Sequence, residues 1–356
     1  MYESISHMTA QQQLGFTTPT QPHPLDAFGL DGVYRTKWGG AVHADSLEVL
    51  RALPDDSIDL VVTSPPYALH FKKEYGNANQ AEYIDWLLPF AREIRRVLSD
   101  TGSFVLNVGG AWTPGKPTRS IYTYKLLVAL VEDVGLELAQ ELFWYNPAKM
   151  PVPAEWVTVR RIRVKDSVEF VWWFSKTPFP KATNRAVLRP YSKDMIRLNK
   201  KGLQATKRPA GHVINESFAN TENGGSIPPN VLDEDTPSDL LKFGNNAAND
   251  PYTKRCKEAG IKIHPARFPA ILPEFFIKML TDPEDVVIDP FAGSNTTGMV
   301  AERLDRRWIG IDMEASYLEA SKFRFDDFEE PRPPEVKVIA SKNGTTRKKK
   351  ASRAKT

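Results

Sequence analysis

The sequence predicts an α/β protein built on a largely parallel, doubly wound sheet. Short apolar runs alternate with amphipathic segments over residues 34–176, and the alternation returns after about residue 263. Strands that alternate with helices favour a parallel sheet covered on both faces. The chain has 356 residues, 41% of them hydrophobic, which is enough for one large domain with an insertion or for two modest domains.

The first alternating part contains the buried strand IDLVVTS, followed by a segment with apolar residues at steps of three and four, which is typical of a helix. Its predicted elements are a strand at 58–64, a helix at 81–98, a strand at 102–110, a helix at 121–137, and strands at 141–146 and 168–175. The second part is predicted to contain a helix at 273–280, a strand and turn at 285–293, a helix at 295–305, a strand at 306–313 and a helix at 316–325.

The stretch between these two parts loses hydrophobic periodicity, and its segments GGSIPPN and FGNNAANDP are typical of loops. It is predicted to be a separate lobe or insertion with little regular structure. We therefore predict five regions. They are a polar, disordered arm at 1–30, one half of the main domain at 31–176, the inserted lobe at 177–262, the other half of the main domain at 263–328, and a disordered basic tail at 329–356.

The composition argues against a membrane or secreted protein. No window approaches the run of about 18 apolar residues that a membrane span requires, and the N-terminal residues lack the features of a secretory signal. The single cysteine, Cys256, follows Arg255 in what reads as a basic loop and cannot form an internal disulfide or a cysteine-rich zinc site. We expect a reducing, cytoplasmic setting and no metal.

The charge of the chain is unevenly distributed. The net charge of +3 is too small to indicate a partner, but residues 176–212 contain ten Lys or Arg and one acid, Asp194. The C-terminal RKKKASRAKT is a second basic block. Such segments are either solvated surfaces or contacts for a polyanion, and the neutral flanks of the middle segment favour the polyanion.

The strand IDLVVTS ends at the stretch TSPPY, residues 63–67. Proline fixes φ and has no N–H for a strand ladder, so Pro65 and Pro66 end the strand. A hydroxyl group, on Ser64, precedes them, and an aromatic ring, on Tyr67, follows them. The stretch either holds a ligand at the end of a strand or is a proline-rich turn with the tyrosine packed on the core.

The segment DVVIDPFAGSNTTGMVAERLDRRWIGIDM has the pattern strand, glycine turn, helix, strand and acid. Small residues such as Gly293 let a backbone approach a ligand, and an acid after the second strand, here Asp312, can bind ribose hydroxyls. The full glycine pattern of dinucleotide sites is absent, which favours an adenosine-bearing ligand without phosphates. An ordinary strand-to-helix turn explains the same residues equally well.

Together, TSPPY, DPFAGSNTT and HPARFPAILPEFFIKMLTDPED resemble the DNA amino-methyltransferases that use S-adenosylmethionine. The order of the motifs resembles the beta arrangement of that family. ELFWYNPAKMP, RRIRVKDSVEFVWWFSKT and GGSIPPN extend the resemblance over most of residues 34–325. Within the family, the chain is most similar to the PvuII-type modification enzymes, which methylate cytosine N4.

The resemblance implies a circularly permuted, Rossmann-like methyltransferase sheet of about seven strands with an inserted target-recognition lobe. In the strand order of the family, the segment ending at Ala44-Asp45 would be the third strand and IDLVVTS the fourth, and the end of the chain would supply the first two. TSPPY and FAGSN would then face one another at the carboxyl ends of the strands, although Ser64 and Ser294 lie 230 positions apart.

The resemblance also implies a function. The expected activity is methyl transfer from S-adenosylmethionine to the N4 amine of a cytosine flipped out of double-stranded DNA, in a bacterial type II restriction-modification system. A cognate restriction endonuclease would act at the same site without a stable complex. We expect a monomer or weak homodimer in the cytoplasm or nucleoid, with no membrane partner.

The resemblance assigns roles to individual residues. The Ser64 hydroxyl and Pro65 carbonyl would accept hydrogen bonds from the amine, and Tyr67 would stack on the base. The expected catalytic residues are Ser64, Pro65, Pro66 and Tyr67; the expected cofactor-binding residues are Asp45, Pro265, Phe268, Phe291, Gly293, Ser294, Thr296 and Asp312. The expected DNA-binding residues are Lys149, Arg160, Arg161, Arg163, Arg185, Arg189, Arg197, Lys207 and Arg208.

One of these assignments and one neighbouring position allow more than one interpretation. Asp45 either contacts the adenine amine or caps the following helix. Asn295 replaces a glycine that is common in the motif, and asparagine tolerates left-handed backbone better than most residues, so the turn can survive.

Other functions compete with cytosine N4 transfer. In the family that the chain resembles, serine in SPPY usually accompanies cytosine N4 transfer, and Asp or Asn at that position usually accompanies adenine N6 transfer. An adenine enzyme on the same scaffold is therefore the nearest alternative. Transfer to cytosine C5 needs a cysteine nucleophile, and no Pro-Cys pair is present. A non-catalytic DNA-binding protein and an RNA or protein methyltransferase are further alternatives.

Overall fold

The computed structural model describes residues 18–67, 82–201, 206–207, 213–214, 224–233, 235–238, 251–267 and 269–325. Its strands are β1 Tyr34–Arg35, β2 Gly39–His43, β3 Ile58–Thr63, β4 Leu98–Val108, β5 Glu137–Tyr145, β6 Val168–Ser175, β7 Thr206–Lys207, β8 Val213–Ile214, β9 Val231–Leu232, β10 Val286–Asp289 and β11 Arg307–Asp312. Its α-helices are α1 Pro24–Ala27, α2 Ser46–Ala52, α3 Tyr83–Val97, α4 Tyr122–Glu132, α5 Lys193–Lys201, α6 Pro251–Glu258, α7 Ile271–Leu280, α8 Thr296–Arg303 and α9 Ala315–Ser321. A π-helix covers Glu155–Val159, and 3₁₀ helices cover Asn184–Val187 and Lys322–Arg324.

The main sheet has nine strands in the order β1-β2-β11-β10-β3-β4-β6-β5-β9. The five strands from β2 to β4 run parallel to one another, whereas β6 is antiparallel to both of its neighbours. Two strands from the end of the chain, β10 and β11, therefore lie between β2 and β3 from its beginning. Because β3 and β10 are parallel neighbours, the residues that follow them emerge at the same edge of the sheet.

Both faces of the sheet are buried, as the doubly wound prediction requires. On β3, Val61 packs into a core cluster on one face, and Leu60 and Val62 pack into a second cluster on the other. Parallel strands covered on both sides carry apolar residues at successive positions. The α/β prediction is confirmed, and the two strands beyond the expected seven are the two-residue strands β1 and β9 at the sheet edges.

The elements predicted from periodicity are present with shifted ends. The largest shift is in α4, which was expected at 121–137 and ends at Glu132. Gly135 has φ +77° just beyond it, and glycine in the left-handed region commonly follows a helix end. In the described part of the chain, none of the helices is both long and apolar enough to cross a membrane.

The prediction of a disordered arm at residues 1–30 is wrong for the last residues of that range. Pro24–Ala27 form α1, Leu25 is fully buried in the core, and the Thr20 hydroxyl donates to Glu284 at 2.7 Å. One leucine in a polar segment gives no periodic signal, although it can fill a core position. Residues 1–17 and the predicted tail at 329–356 lie outside the described residues.

The lobe predicted for 177–262 also needs correction, because part of it joins the main sheet. The strand β9 pairs with Phe143 and Trp144 of β5, and Leu232 is fully buried. Cys256, expected in a loop, lies in helix α6 and is buried against Ala320. The lobe therefore contributes to the core instead of forming a separate, irregular unit.

We predict that Leu25→Ala lowers the free energy of unfolding by about 2–5 kcal/mol, since it removes a buried leucine side chain from a packed site. The matched control is Asp26→Ala on the same helix, whose carboxylate is 60% exposed in its pair with Arg35 and should contribute far less, because an exposed ion pair is screened by solvent. Urea unfolding of both variants is the measurement. Equal effects would mean that residues 24–30 are not part of the folded core.

Candidate functional site

A cavity of about 770 Å³ lies at the carboxyl ends of the parallel strands. Residues that follow β2, β3, β10 and β11 line it, together with the end of β4. The lining residues from these strand ends are Asp45, Ser46, Ser64, Pro65, Pro66, Tyr67, Asn107, Pro290, Phe291, Ala292, Gly293, Ser294, Thr296, Asp312, Met313 and Glu314. The TSPPY stretch and the glycine turn thus face one cavity, at the edge where open α/β sheets bind ligands.

One buried carboxylate joins these two segments. Asp289, the last residue of β10, accepts hydrogen bonds from Thr63 Oγ1 at 2.6 Å and from Thr297 Oγ1 at 2.7 Å. The Phe291 backbone N–H donates to the same carboxylate at 3.1 Å. Burial raises the pKa of Asp289 to about 6, and the hydrogen bonds from the two threonines oppose that shift. The carboxylate therefore fixes the residue before the SPPY stretch to the helix after the glycine turn.

The SPPY stretch is held by polar side chains from β4 and β6. The Tyr67 hydroxyl lies 2.7 Å from Glu169 Oε2 and 3.0 Å from Asn107 Oδ1. Ser64 Oγ lies 3.2 Å from the same Asn107 oxygen. Lys149 Nζ donates to Glu169 Oε1 at 3.0 Å.

The ring of Tyr67 lies against Gly109. The contact is so close that a Cβ atom at position 109 would stand only 2.6 Å from Tyr67 Cε2. A side chain at position 109 would push the ring from its place. Gly109, the first residue of the pair GG that ends the predicted strand, thus gives the Tyr67 ring its place.

The glycine turn after β10 depends on two residues in left-handed backbone. Gly293 has φ +50°, and its N–H donates to Asp312 Oδ2 at 2.8 Å. Asn295 has φ +53°; its Oδ1 accepts from Gly298 N at 3.0 Å, and its Nδ2 donates to the Tyr34 hydroxyl at 2.9 Å. The expectation that asparagine keeps the turn is confirmed, and its side chain adds the cap of helix α8.

Aromatic side chains form one wall of the cavity beside this turn. Phe291 contacts Trp86 and Phe90 of α3, with ring centroids 5.6 Å and 5.1 Å apart. His264 packs edge-on against Tyr317 at 4.4 Å. Burial lowers the pKa of His264 to about 4, so its imidazole is neutral at pH 7 and contributes shape instead of charge.

Two carboxylates lie at the polar side of the cavity. Asp45 Oδ1 accepts from Leu47 N at 2.8 Å, so it caps helix α2 while it lines the cavity; both interpretations of this residue are therefore compatible with its place. Asp312 also accepts from the Glu314 N–H at 2.8 Å, and burial raises its pKa. Within the described residues, no group of three or more His, Cys, Asp or Glu side chains could hold a metal ion.

Comparison with known proteins identifies the family. A family model described as DNA methylase matches residues 58–323, which is most of the chain. The chain belongs to the DNA methylase family. The Type II methyltransferase M.PvuII of Proteus hauseri is 51% identical over 303 residues, covering 84% of this methylase and 87% of that protein. The resemblance drawn from the motifs is confirmed.

A further relative and a solved structure agree with this assignment. The Type II methyltransferase M.ScaI of Streptomyces caespitosus is 28% identical and covers 80% of each chain. A solved PvuII DNA methyltransferase, described as cytosine-N4-specific, superposes on this methylase with a TM-score of 0.65 at 44% identity. The superposition covers 85% of this chain and 92% of that chain.

The cavity brings together nearly all of the residues predicted for catalysis and cofactor binding. Those that line it are Ser64, Pro65, Pro66, Tyr67, Asp45, Pro265, Phe291, Gly293, Ser294, Thr296 and Asp312. Phe268 lies outside the described residues. Asn146 and Trp144 line the same cavity at the end of β5, which places them beside the SPPY network.

The residues predicted to bind DNA are in several environments. Arg160, Arg161, Arg163, Arg185 and Arg197 are exposed, Lys207 is described only by its backbone in β7, and Arg208 lies outside the described residues. Arg160 pairs with Glu155 and Arg197 with Asp194, both at the surface. Lys149 turns inward to Glu169 with 22% of its side chain exposed.

Arg189 is a correction to the predicted DNA-binding set. Its guanidinium donates to Asp233 at 2.6 Å and to Thr236 Oγ1 at 3.0 Å, and only 18% of its side chain is exposed. An arginine engaged in this way braces the lobe. Its charge is already partnered, so it is not a surface cation for a phosphate.

Sequence reasoning missed several residues of the site. Asn107, Glu169 and Asp289 are each a single polar residue within an apolar strand, and all three are at most 8% exposed. Buried polar groups of this kind are hydrogen-bonded. A polar residue inside each of the apolar segments LNV, VEFVWWF and VVID could therefore have indicated a buried hydrogen-bond partner. Trp86 and Phe90 were read as the apolar face of a helix and gave no separate signal.

We predict that Asp289 makes stability depend on pH. The folded carboxyl, with a pKa of about 6, keeps its proton where an ordinary aspartate with a pKa of 3.8 has lost it. Its contribution to the free energy of unfolding is therefore complete below about pH 4 and is lost as the pH rises through 6. Asp289→Asn removes the titration, so the free energy of wild type minus that of the variant should fall by about 2–3 kcal/mol between pH 4 and 7.

The measurement is urea unfolding of both proteins across that range. Other titrating groups are common to the two proteins and cancel in the difference. A difference that does not change with pH would contradict a buried, proton-holding Asp289.

Proposed function

We propose that this methylase transfers a methyl group from S-adenosylmethionine to the exocyclic N4 amine of a cytosine flipped out of double-stranded DNA. The observation that carries the proposal is the single cavity that joins the SPPY stretch to the glycine turn. The 51% identity to a Type II methyltransferase supports a place in a type II restriction-modification system. The superposed PvuII DNA methyltransferase is described as cytosine-N4-specific, which supports cytosine as the target base.

The cavity fits S-adenosylmethionine in its chemistry. An aromatic wall with Phe291 suits the flat adenine, the buried Asp312 carboxylate suits the ribose hydroxyls, and the missing side chain at Gly293 leaves room for backbone contact. When bound, S-adenosylmethionine supplies a methyl group on a positively charged sulfur. Phe291, Gly293, Ser294, Thr296, Asp312, Asp45 and Pro265 would hold it.

The SPPY stretch would bind and orient the amine. An exocyclic amine is a poor nucleophile because its lone pair is delocalised into the base. Acceptors on its two protons, here Ser64 Oγ and the Pro65 carbonyl, favour a localised lone pair, and fixed proximity to the methyl group supplies much of the rest. Burial raises the pKa of the Tyr67 phenol well above its ordinary value, so the ring that stacks on the base stays neutral.

Double-stranded DNA would lie across the mouth of the cavity, with lysine and arginine side chains contacting phosphates. Such contacts position a duplex without reading its sequence. Arg160, Arg161 and Arg163 would lie at the approach to the cavity, and Arg185, Arg197, Lys207 and Arg208 in the recognition lobe at 177–262. The setting would be the bacterial cytoplasm, with a cognate restriction endonuclease that acts at the same site without a stable complex.

The test of the proposal is the identity of the methylated nucleoside. DNA modified by the purified methylase is digested to nucleosides and analysed by mass spectrometry, and N4-methylcytosine is expected. N6-methyladenine would establish the adenine enzyme on the same scaffold. DNA binding without transfer to any duplex would establish a non-catalytic DNA-binding protein.

We predict that Tyr67→Ala lowers turnover about tenfold to a hundredfold, since stacking on a base contributes about 1–3 kcal/mol. Affinity for S-adenosylmethionine should change less than about twofold, because Tyr67 is held in the SPPY network by Asn107 and Glu169 and packs on Gly109. The matched control is Tyr145→Ala, a 40% exposed tyrosine of β5. Loss of cofactor binding in Tyr67→Ala would instead mean that the ring supports the fold of the site.

We predict that Asp312→Ala weakens binding of S-adenosylmethionine about tenfold or more, because it removes a charged hydrogen-bond acceptor from the cavity. Isothermal titration calorimetry with the cofactor is the measurement. The control is Glu319→Ala, a half-exposed acid of α9 that pairs with Lys322. An unchanged affinity would show that the ribose hydroxyls bind elsewhere.

A further inference from the structure

The segment that connects β5 to β6, residues 146–167, exposes apolar side chains although its backbone is folded. The backbone N–H groups of Ile162 and Arg163 both donate to the Trp156 carbonyl, at 2.9 Å and 3.3 Å. Exposed apolar side chains that are grouped in one short segment mark a surface for a partner. The large apolar side chains exposed in this segment are Met150, Val152, Val159, Ile162 and Val164.

The charge of the same segment indicates the kind of partner. Residues 150–165 contain four Lys or Arg and one acid, Glu155. Cations bind phosphates, and proteins that distort a duplex insert apolar side chains between its base pairs. Cations interspersed with exposed apolar side chains therefore suit double-stranded DNA. The four cations, all exposed, are Arg160, Arg161, Arg163 and Lys165.

Met150 is tied to the cavity by the residues that precede it. Asn146 lines the cavity, and the Lys149 N–H donates to the Asn146 carbonyl at 3.2 Å, which forms a turn. Lys149 Nζ donates to Glu169 Oε1 at 3.0 Å, and Glu169 Oε2 lies 2.7 Å from the Tyr67 hydroxyl. Met150 comes next and is 70% exposed. The methionine therefore lies at the rim of the cavity, beside the stretch that would hold the base.

A base that enters the cavity leaves a gap in the duplex. Flipping breaks its base pair and its stacking, which costs free energy. An apolar side chain that fills the gap buries apolar area and keeps the base from returning. Methionine suits such a gap because its side chain is long, unbranched and flexible.

We propose that Met150 is a positioning residue that enters the duplex where the target cytosine leaves it and so holds the cytosine in its flipped position. The inference rests on the proposed function, since the flipped cytosine is the substrate of that reaction. It gives the segment between β5 and β6 a part in opening the duplex that is separate from the contact of its cations with phosphates.

The experiment compares single-turnover methyl transfer by wild type and Met150→Ala to two duplexes that contain the methylated site. The target cytosine is paired with guanine in the first duplex and lies opposite an abasic position in the second, where no base pair has to be opened. On the paired duplex, Met150→Ala should be about tenfold slower than wild type. On the abasic duplex, its rate should lie within about twofold of wild type.

The rescue by the abasic duplex separates flipping from the chemical step and from folding. A second signal comes from 2-aminopurine at the target position, which brightens when it leaves the stack of bases. Its fluorescence should rise on binding of wild type and much less on binding of Met150→Ala, whereas Met150→Leu, which keeps a long apolar side chain, should restore most of the rate and of the fluorescence. The salt dependence of DNA affinity should not change, because Met150 carries no charge.

The matched control is Val128→Ala, a 51% exposed apolar residue of α4 that is not among the described residues lining the cavity. It should leave the rates on both duplexes unchanged.

Two results would overturn this inference and leave the proposed function in place. An equal loss on both duplexes would mean that Met150 acts on the chemical step or on the fold. An unchanged rate of Met150→Ala on the paired duplex would mean that the exposed apolar surface contacts a partner protein instead of DNA. Absence of transfer by wild type to either duplex would overturn the proposed function together with this inference.

Discussion

The site depends on one buried carboxylate that joins two distant parts of the chain. Asp289 accepts from Thr63, which precedes the SPPY stretch, and from Thr297, which follows the glycine turn. Those partners lie 226 and 8 positions away in sequence. Burying a carboxyl costs free energy unless hydrogen bonds compensate it, and the raised pKa of Asp289 shows that compensation is incomplete. The carboxylate aligns the glycine turn with the SPPY stretch.

The order of the strands in the sheet brings the partners of Asp289 together. Because β10 and β11 lie between β2 and β3, the ends of five parallel strands meet at one edge. Each end contributes a different chemical part: an aromatic and glycine-bearing turn after β10, the acids Asp45 and Asp312 after β2 and β11, and the prolines after β3. The antiparallel strand β6 adds Glu169 on the far side of Tyr67. In the described residues, a hydrogen-bond network formed by Asn107 and Glu169 thus lies behind the SPPY stretch.

Much of this arrangement could be predicted from the sequence, because its signals are local. Apolar residues that recur every two positions predicted the strands, and apolar residues that recur every three or four positions predicted the helices. The motifs SPPY and FAGSN predicted the two halves of the cavity. The rest depends on contacts that no local pattern carries. Leu25 is one apolar residue in a polar arm, the strand β9 has two residues, and Arg189 became a brace only because Asp233 and Thr236 fold onto it. Asn107 and Glu169 are read as interruptions in apolar strands until their partner Tyr67 is seen between them.

The most direct measurement is a crystal structure of the methylase with the demethylated cofactor and a duplex that contains its target cytosine. The account predicts that the sulfur lies beside the turn at Gly293 and that the cytosine amine lies within hydrogen-bond distance of Ser64 Oγ and the Pro65 carbonyl. A cofactor bound away from that turn, or a flipped base held away from the SPPY stretch, would contradict it.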